Sequence, residues 1–131
     1  MRCRVYYEDT DAGGVVYYAN YLRFMERARS DWLRSLGTTS VELAKDAGVL
    51  FAVHRVSVEY HSPARLDDDL DVSAQIVRLG RAGITFHQEV RRGQSLLCQG
   101  EVKIACLDVT GFRPSPLPLS VLSKLHSGSV L

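Results

Sequence analysis

The sequence predicts an α+β fold, with one long helix laid against a single antiparallel sheet. Three observations lead there. Apolar residues recur at three- and four-residue steps over only one long stretch, Tyr21, Phe24, Met25, Ala28, Trp32 and Leu36. From residue 50 onward the apolar period changes to two. The segments of period two are joined by short Gly-containing turns, which connect antiparallel neighbours.

Taken in order, residues 2–7 read as a first strand, rich in Val and Tyr. An acidic loop with Glu8, Asp9, Asp11 and the pair Gly13-Gly14 follows. Asn20 is a plausible N-cap for the long helix, and Gly37 a natural stop. Arg23, Arg27, Arg29, Asp31 and Arg34 lie mostly off the apolar stripe. Thr39 and Glu42 have capping-box spacing for a short second helix that ends by Gly48. Val56, Val58 and Tyr60 then alternate with Ser57 and Glu59, and His54-Arg55 interrupts the phase as a bulge would. After a loop at 61–69, Leu70, Val72, Ala74 and Ile76 alternate on one strand. Gly80-Arg81-Ala82-Gly83 is a hairpin turn, followed by Ile84, Phe86, Gln88 and Val90. Arg91-Arg92-Gly93-Gln94 makes a second turn into a strand from Leu96 to about Leu107. Beyond Gly111 the composition shifts to Pro and Ser, with a terminal helical turn through Leu119, Leu122 and Leu125. The order is strand, long helix, short helix and four strands, without repeats or an internal linker. A sheet covered on one face leaves the other face and the edges in need of partners, so oligomerisation is expected.

Bulk numbers narrow the function. At 131 residues the chain fits one domain able to bury a core without metal or disulfide help. Sixteen Lys plus Arg against fifteen Asp plus Glu give no overall field for nucleic acid or anionic membrane. No stretch approaches the roughly eighteen apolar residues of a membrane span, and no apolar run follows Met1-Arg2 as in a signal peptide. A cytoplasmic protein is expected. Cys3, Cys98 and Cys106 are odd in number and widely spaced, so neither a zinc site nor a disulfide framework is expected. Cys98 and Cys106 share a parity with Leu96, Val102 and Ile104 and read as small buried hydrophobes.

The chemistry concentrates in 6–21. Carboxylates beside a Gly-Gly loop that feeds a helix N-terminus suit an acid acting on a group that backbone N–H donors polarise. Acids near a helix start also serve capping and the helix dipole, and Glu8 and Asp9 are read as loop-shaping. His54 and His61 are candidates to line a groove, whereas His87 reads as exposed and His126 falls in the tail.

The run 8–21, Glu-Asp-Thr-Asp-Ala-Gly-Gly-Val-Val-Tyr-Tyr-Ala-Asn-Tyr, followed by Phe24-Met25-Glu26, resembles the hotdog-fold acyl-CoA thioesterases of the 4-hydroxybenzoyl-CoA thioesterase family. The bacterial branch encoded beside the Tol–Pal envelope system is the more similar. Residues 58–68, Val-Glu-Tyr-His-Ser-Pro-Ala-Arg-Leu-Asp-Asp, resemble that branch too. The resemblance covers residue 2 to about 120. It implies one hotdog domain over 1–131, with 111–131 a Pro/Ser-rich extension and a five-stranded sheet wrapping the long helix. It further implies hydrolysis of acyl-CoA, with acyl carrier protein thioesters as an alternative substrate and neither cofactor nor metal. Dimers joined sheet edge to sheet edge and assembling to homotetramers are implied as well.

Carried over residue by residue, the catalytic carboxylate falls on Asp11, and the backbone N–H that faces the carbonyl falls on Tyr18. Gly14, Tyr17, Asn20, His54, Ser62 and Arg81 are the substrate-binding candidates. Arg81 matches a basic turn that meets the nucleotide in part of the family, with Arg78 its neighbour. Relatives in the Tol–Pal branch carry His at the position of Tyr18, whereas the hydroxybenzoyl-CoA enzymes carry Tyr. Histidine-assisted proton transfer from that position is therefore absent. A non-catalytic acyl-binding or scaffold role in envelope maintenance is the reading from another class. A dehydratase ranks low, because 8–21 holds no His.

Overall fold

The computed structural model describes residues 1–126. Its first strand is shorter than the composition suggests: β1 spans Arg2–Arg4, and Tyr7–Asp9 form a 3₁₀ turn instead of extending it. The long helix α1 covers Asn20–Ser35, and the short helix α2 covers Ser40–Asp46. Strands β2 (Val49–Tyr60), β3 (Asp69–Val72), β4 (Gln75–Gly80), β5 (Gly83–Arg92) and β6 (Ser95–Asp108) follow, and α3 (Leu119–His126) closes the described chain. The expected α+β class holds.

Local chemistry accounts for most boundaries. Leu36 caps α1, and Gly37 takes φ +90° beyond it, a conformation that side chains resist. The Thr39 hydroxyl accepts the Glu42 N–H at 3.2 Å and starts α2 as the spacing predicts. Asn20 departs from expectation. Ala19 is the N-cap of α1, and Asn20 is its first residue, with its side chain committed elsewhere.

The sheet runs β1-β3-β5-β6-β2, with β4 also paired to β5, and its pairings are antiparallel. Six strands replace the expected five because the strand through Leu70–Ile76 breaks at Ser73-Ala74. There the Ser73 N–H donates to the Glu89 carbonyl at 2.9 Å, while the Ser73 hydroxyl accepts the Glu89 N–H at 2.9 Å. The side chain takes a donor that a regular ladder would give to the backbone, and the Ser73 carbonyl is left to accept from Gln88 at 3.0 Å. The phase break at His54 is a register shift between Val53 and Arg55, as the sequence predicts. Arg81 and Ala82 form the two-residue turn between β4 and β5, where Gly80 pairs with Gly83.

Between α1 and the sheet lies one apolar core. Phe24, Met25, Leu70, Phe86, Val90, Leu97 and Val102 are fully or almost fully buried in it. The Pro-rich segment runs along the sheet rather than away from it. The Ser115 N–H donates to Cys106, and the Leu117 N–H donates to Arg81, before Val121 and Leu125 of α3 join the core.

Cys98 and Cys106 are buried, and burial pushes the Cys98 thiol up to about 12. Only the thiolate is nucleophilic, so native Cys98 is expected to resist iodoacetamide at neutral pH and to react once denatured. Mass-spectrometric mapping of the label with and without denaturant checks this, and equal labelling in both would contradict it.

Candidate functional site

Residues 9–17 fold back on themselves ahead of α1. Thr10 and Val16 form an isolated antiparallel bridge, the Asp11 N–H donates to Val15 at 2.9 Å, and the Tyr17 N–H donates to the Asp9 carbonyl at 3.0 Å. The turn at the tip closes through the Gly14 N–H to the Asp11 carbonyl at 3.0 Å, with Gly14 at φ +78°. Gly14 is thus a backbone requirement of the loop.

Asp11 sits at that tip, exposed. Its Oδ1 accepts the Gly13 N–H at 2.8 Å, which fixes the carboxylate plane, and Oδ2 has no partner among the described residues. Below it, Asp9 is buried at 6 % exposure. One Asp9 oxygen accepts the Asn20 amide at 2.7 Å and the other accepts the Tyr6 N–H at 2.9 Å. Asn20 therefore pins the acidic loop to the first turn of α1 from inside. Its amide is engaged in the interior, at 9 % exposure, rather than displayed on the surface. The charge-assisted pair also places a buried anion near the positive end of the helix.

Past the hairpin, Tyr17 and Tyr18 are exposed, with ring centroids 4.9 Å apart. The Tyr18 N–H donates to no acceptor among the described residues, whereas its carbonyl accepts the Tyr60 hydroxyl at 3.1 Å. Burial pushes the Tyr60 phenol up, so it remains a donor at neutral pH. Tyr60 also meets the rings of Tyr18 at 6.3 Å and Tyr21 at 5.5 Å. An open cavity of about 280 Å³ lies here, lined by Val16, Tyr18, Tyr21, Tyr60, His61 and Ser62 together with Pro63. Tyr21 holds its far wall, since its hydroxyl accepts the Ala64 N–H at 2.9 Å.

The structure thus brings Asp11, Gly14 and Tyr17 onto one hairpin with Tyr18 directly after it, and Ser62 lines the same cavity as Tyr18. It separates the other two candidates from them. His54 lines a second cavity of about 420 Å³ with Arg78, Gly80, Ala82 and Lys103, at the turn that carries the exposed Arg81. Sequence reasoning passed over Tyr60 and the Asp9–Asn20 pair. Tyr60 did sit in phase with Val56 and Val58, which was a usable signal. His61, in the first cavity, approaches the Gln99 amide at 3.2 Å. Contrary to the exposed reading, His87 is half-buried and lies 3.1 Å from Glu89.

Chemically, this segment offers a carboxylate with one free oxygen at the hairpin tip, and an unengaged backbone N–H at a helix start on Tyr18, which lines the aromatic cavity. A model of the thioesterase superfamily matches residues 13–99. The acyl-CoA thioesterase YbgC of Haemophilus influenzae is 42% identical over 123 residues, covering 94% of this chain and 90% of that protein. A probable thioesterase from Bartonella henselae has a similar structure, with a TM-score of 0.85 at 36% identity over 90% of this chain and 97% of that one. A 1,4-dihydroxy-2-naphthoyl-CoA thioesterase from Synechocystis shares the fold, with a TM-score of 0.88 at 23% identity over 96% of this chain and 93% of that one.

Proposed function

Because the chain belongs to the thioesterase superfamily and has its hotdog fold, we propose that it hydrolyses acyl-CoA thioesters to the free acid and CoA. The observation that carries this reading is the hairpin itself. It carries the free oxygen of Asp11 at its tip and leads directly into Tyr18, whose N–H is unengaged and which lines the cavity.

The thioester carbonyl oxygen gains charge as the carbon becomes tetrahedral, and the Tyr18 N–H at the start of α1 stabilises it there. Two routes use the same residues. In one, Oδ2 of Asp11 bonds to the carbonyl carbon and the C–S bond breaks. The thiolate leaves and takes a proton from solvent, and water then cleaves the mixed anhydride. In the other, Asp11 accepts a proton as water attacks the carbonyl carbon directly, the tetrahedral adduct collapses with cleavage of the C–S bond, and the CoA thiolate leaves and takes up a proton. Tyr60 supports both by holding the Tyr18 carbonyl, in the peptide group that follows the one carrying the Tyr18 N–H. Tyr18 carries a phenol where the related branch has an imidazole, and the imidazole of this cavity belongs to His61. Neither route requires a metal or redox cofactor.

Arg81, with Arg78 and Lys103 beside the second cavity, suits the phosphates of CoA. Arg81→Ala is expected to raise KM for acyl-CoA severalfold and leave kcat near wild type, since the lost contact binds ground state and transition state alike. Steady-state kinetics check this, and an unchanged KM would remove Arg81 from the site. The edge of β2 is paired on one side only and exposes Val53, Val56 and Tyr60, which favours a homodimer across that edge and tetramers built from it. No helix among the described residues is long and apolar enough to cross a membrane. A cytoplasmic site of action goes with CoA as substrate.

Free-thiol release from a panel of acyl-CoAs, short to long chain plus benzoyl and hydroxybenzoyl, tests the function. The same panel on acyl carrier protein measures the alternative donor. Absence of release from all of them by folded protein would leave the acyl-binding role.

A further inference from the structure

A third cavity lies between α1 and the sheet, well removed in sequence from the acidic hairpin. It holds about 230 Å³ and is walled by Trp32, Leu33, Phe51, Ile84 and Phe86. Trp32 stands edge-on to Phe86, with centroids 5.0 Å apart. Into this apolar wall the fold sets Arg29.

Arg29 is half-buried, and its Nη1 donates to Oε1 of Gln88 at 2.8 Å. Gln88 has no exposed surface, and its amide is spent on the carbonyls of Met25 and Ser73, both at 3.0 Å. The Gln88 oxygen thus orients the guanidinium but is neutral. No ion pair among the described residues includes Arg29. Glu26 also lines the cavity, exposed, and acts on Arg29 only at longer range. Desolvation works against the guanidinium charge, Glu26 opposing it. A partly buried cation without an ion-pair partner in contact costs free energy that a bound anion would recover.

A second observation points the same way. The indole N–H of Trp32 is buried and has no acceptor among the described residues. Buried donors are paired in the great majority of cases, so an unpaired indole N–H on a residue that lines the cavity is an unmet demand for an acceptor there. The cavity therefore joins a guanidinium whose one hydrogen-bond acceptor is neutral, and a residue with an unpaired indole N–H, to a ring-lined apolar wall. A cavity of about 150 Å³ takes benzene, so this one has space for a ring and a carboxylate.

We propose that this cavity binds a small monocarboxylic acid with a ring-sized apolar body, its carboxylate on Arg29 and its body against Trp32, Phe51 and Phe86. The site goes beyond the thioesterase reading and does not require it. If that reading holds, the ligand belongs to the chemical class that hydrolysis releases, and the protein carries a product-class site apart from its catalytic hairpin.

The sequence has a single tryptophan, and it lines this cavity, so tryptophan emission reports on the site directly. Titration of the full chain with benzoate is expected to give a saturable change at up to millimolar ligand. Benzamide keeps the ring and loses the charge, and is expected to bind at least about tenfold more weakly. Arg29→Met is expected to abolish the response while circular dichroism and the thermal transition show a folded chain. If Arg29→Met does not fold, Arg29→Lys keeps the charge, loses the fork, and is expected to bind about tenfold more weakly. Asp11→Asn is expected to bind benzoate like wild type, which separates this site from the catalytic hairpin, and a response lost in Asp11→Asn would overturn the assignment. So would no saturable response, equal binding of benzamide, or wild-type binding by the folded Arg29 variant.

Discussion

Asp11→Asn is expected to lower kcat for acyl-CoA hydrolysis by on the order of 10³-fold or more, with the thermal transition unchanged. The geometry separates the two effects. Asp11 is exposed at the tip of its hairpin, so no buried packing is lost. Its single internal bond runs from the Gly13 N–H to Oδ1, and the side-chain oxygen of asparagine can accept that bond equally well. The turn, the φ +78° at Gly14 and the path into α1 therefore persist. The substitution removes the charge and the basicity at Oδ2, the atom with no structural duty. Steady-state thiol release together with a melting curve on the same preparation makes the measurement. A fall in melting temperature matching the fall in kcat would assign Asp11 a structural role instead.

Asp9→Ala is expected to damage both stability and turnover, because Asp9 acts through the residues it holds. Its carboxylate is buried and accepts from Asn20 at 2.7 Å and from the Tyr6 N–H at 2.9 Å. Truncation strands the Asn20 amide in the interior and leaves the part-buried Tyr6 N–H without its acceptor, at a cost of about 2–3 kcal/mol. The acidic loop then loses its tie to the first turn of α1, and the Asp11 carboxylate and the Tyr18 N–H drift relative to one another. A displacement of about 1 Å between reacting groups can cost on the order of 10²-fold in rate. Denaturant unfolding reads the first effect, and kcat at a temperature where the variant is folded reads the second. Full kcat in the folded variant would show that the tie is dispensable for the site.

The fold was legible where one period governed a whole segment. The stripe from Tyr21 to Leu36 gave the helix, and the turn at Arg81-Ala82 announced itself through its flanking glycines. The sixth strand was hidden because Ser73 breaks the ladder with its own hydroxyl while the alternation of Leu70, Val72 and Ile76 runs on undisturbed. At the site, the acid–Gly-Gly–helix order was plain in the sequence, but the division of labour between neighbouring acids was not. Asp9 and Asp11 look alike as letters, and only the third dimension sends one inward to Asn20 and leaves the other at a tip. Arg29 illustrates the same limit. Gln88 stood in phase with Ile84, Phe86 and Val90, which puts a polar amide on the buried face, yet nothing in the sequence named its cationic partner.

Wild type and Asp11→Asn assayed side by side for thiol release, on the acyl-CoA of the panel that wild type turns over fastest, decide whether Asp11 carries the chemistry. The expected result is rapid release by wild type and a loss of on the order of 10³-fold in a variant with the same circular dichroism and oligomeric state. Release by Asp11→Asn within a few-fold of wild type would contradict the assignment of the chemistry to Asp11.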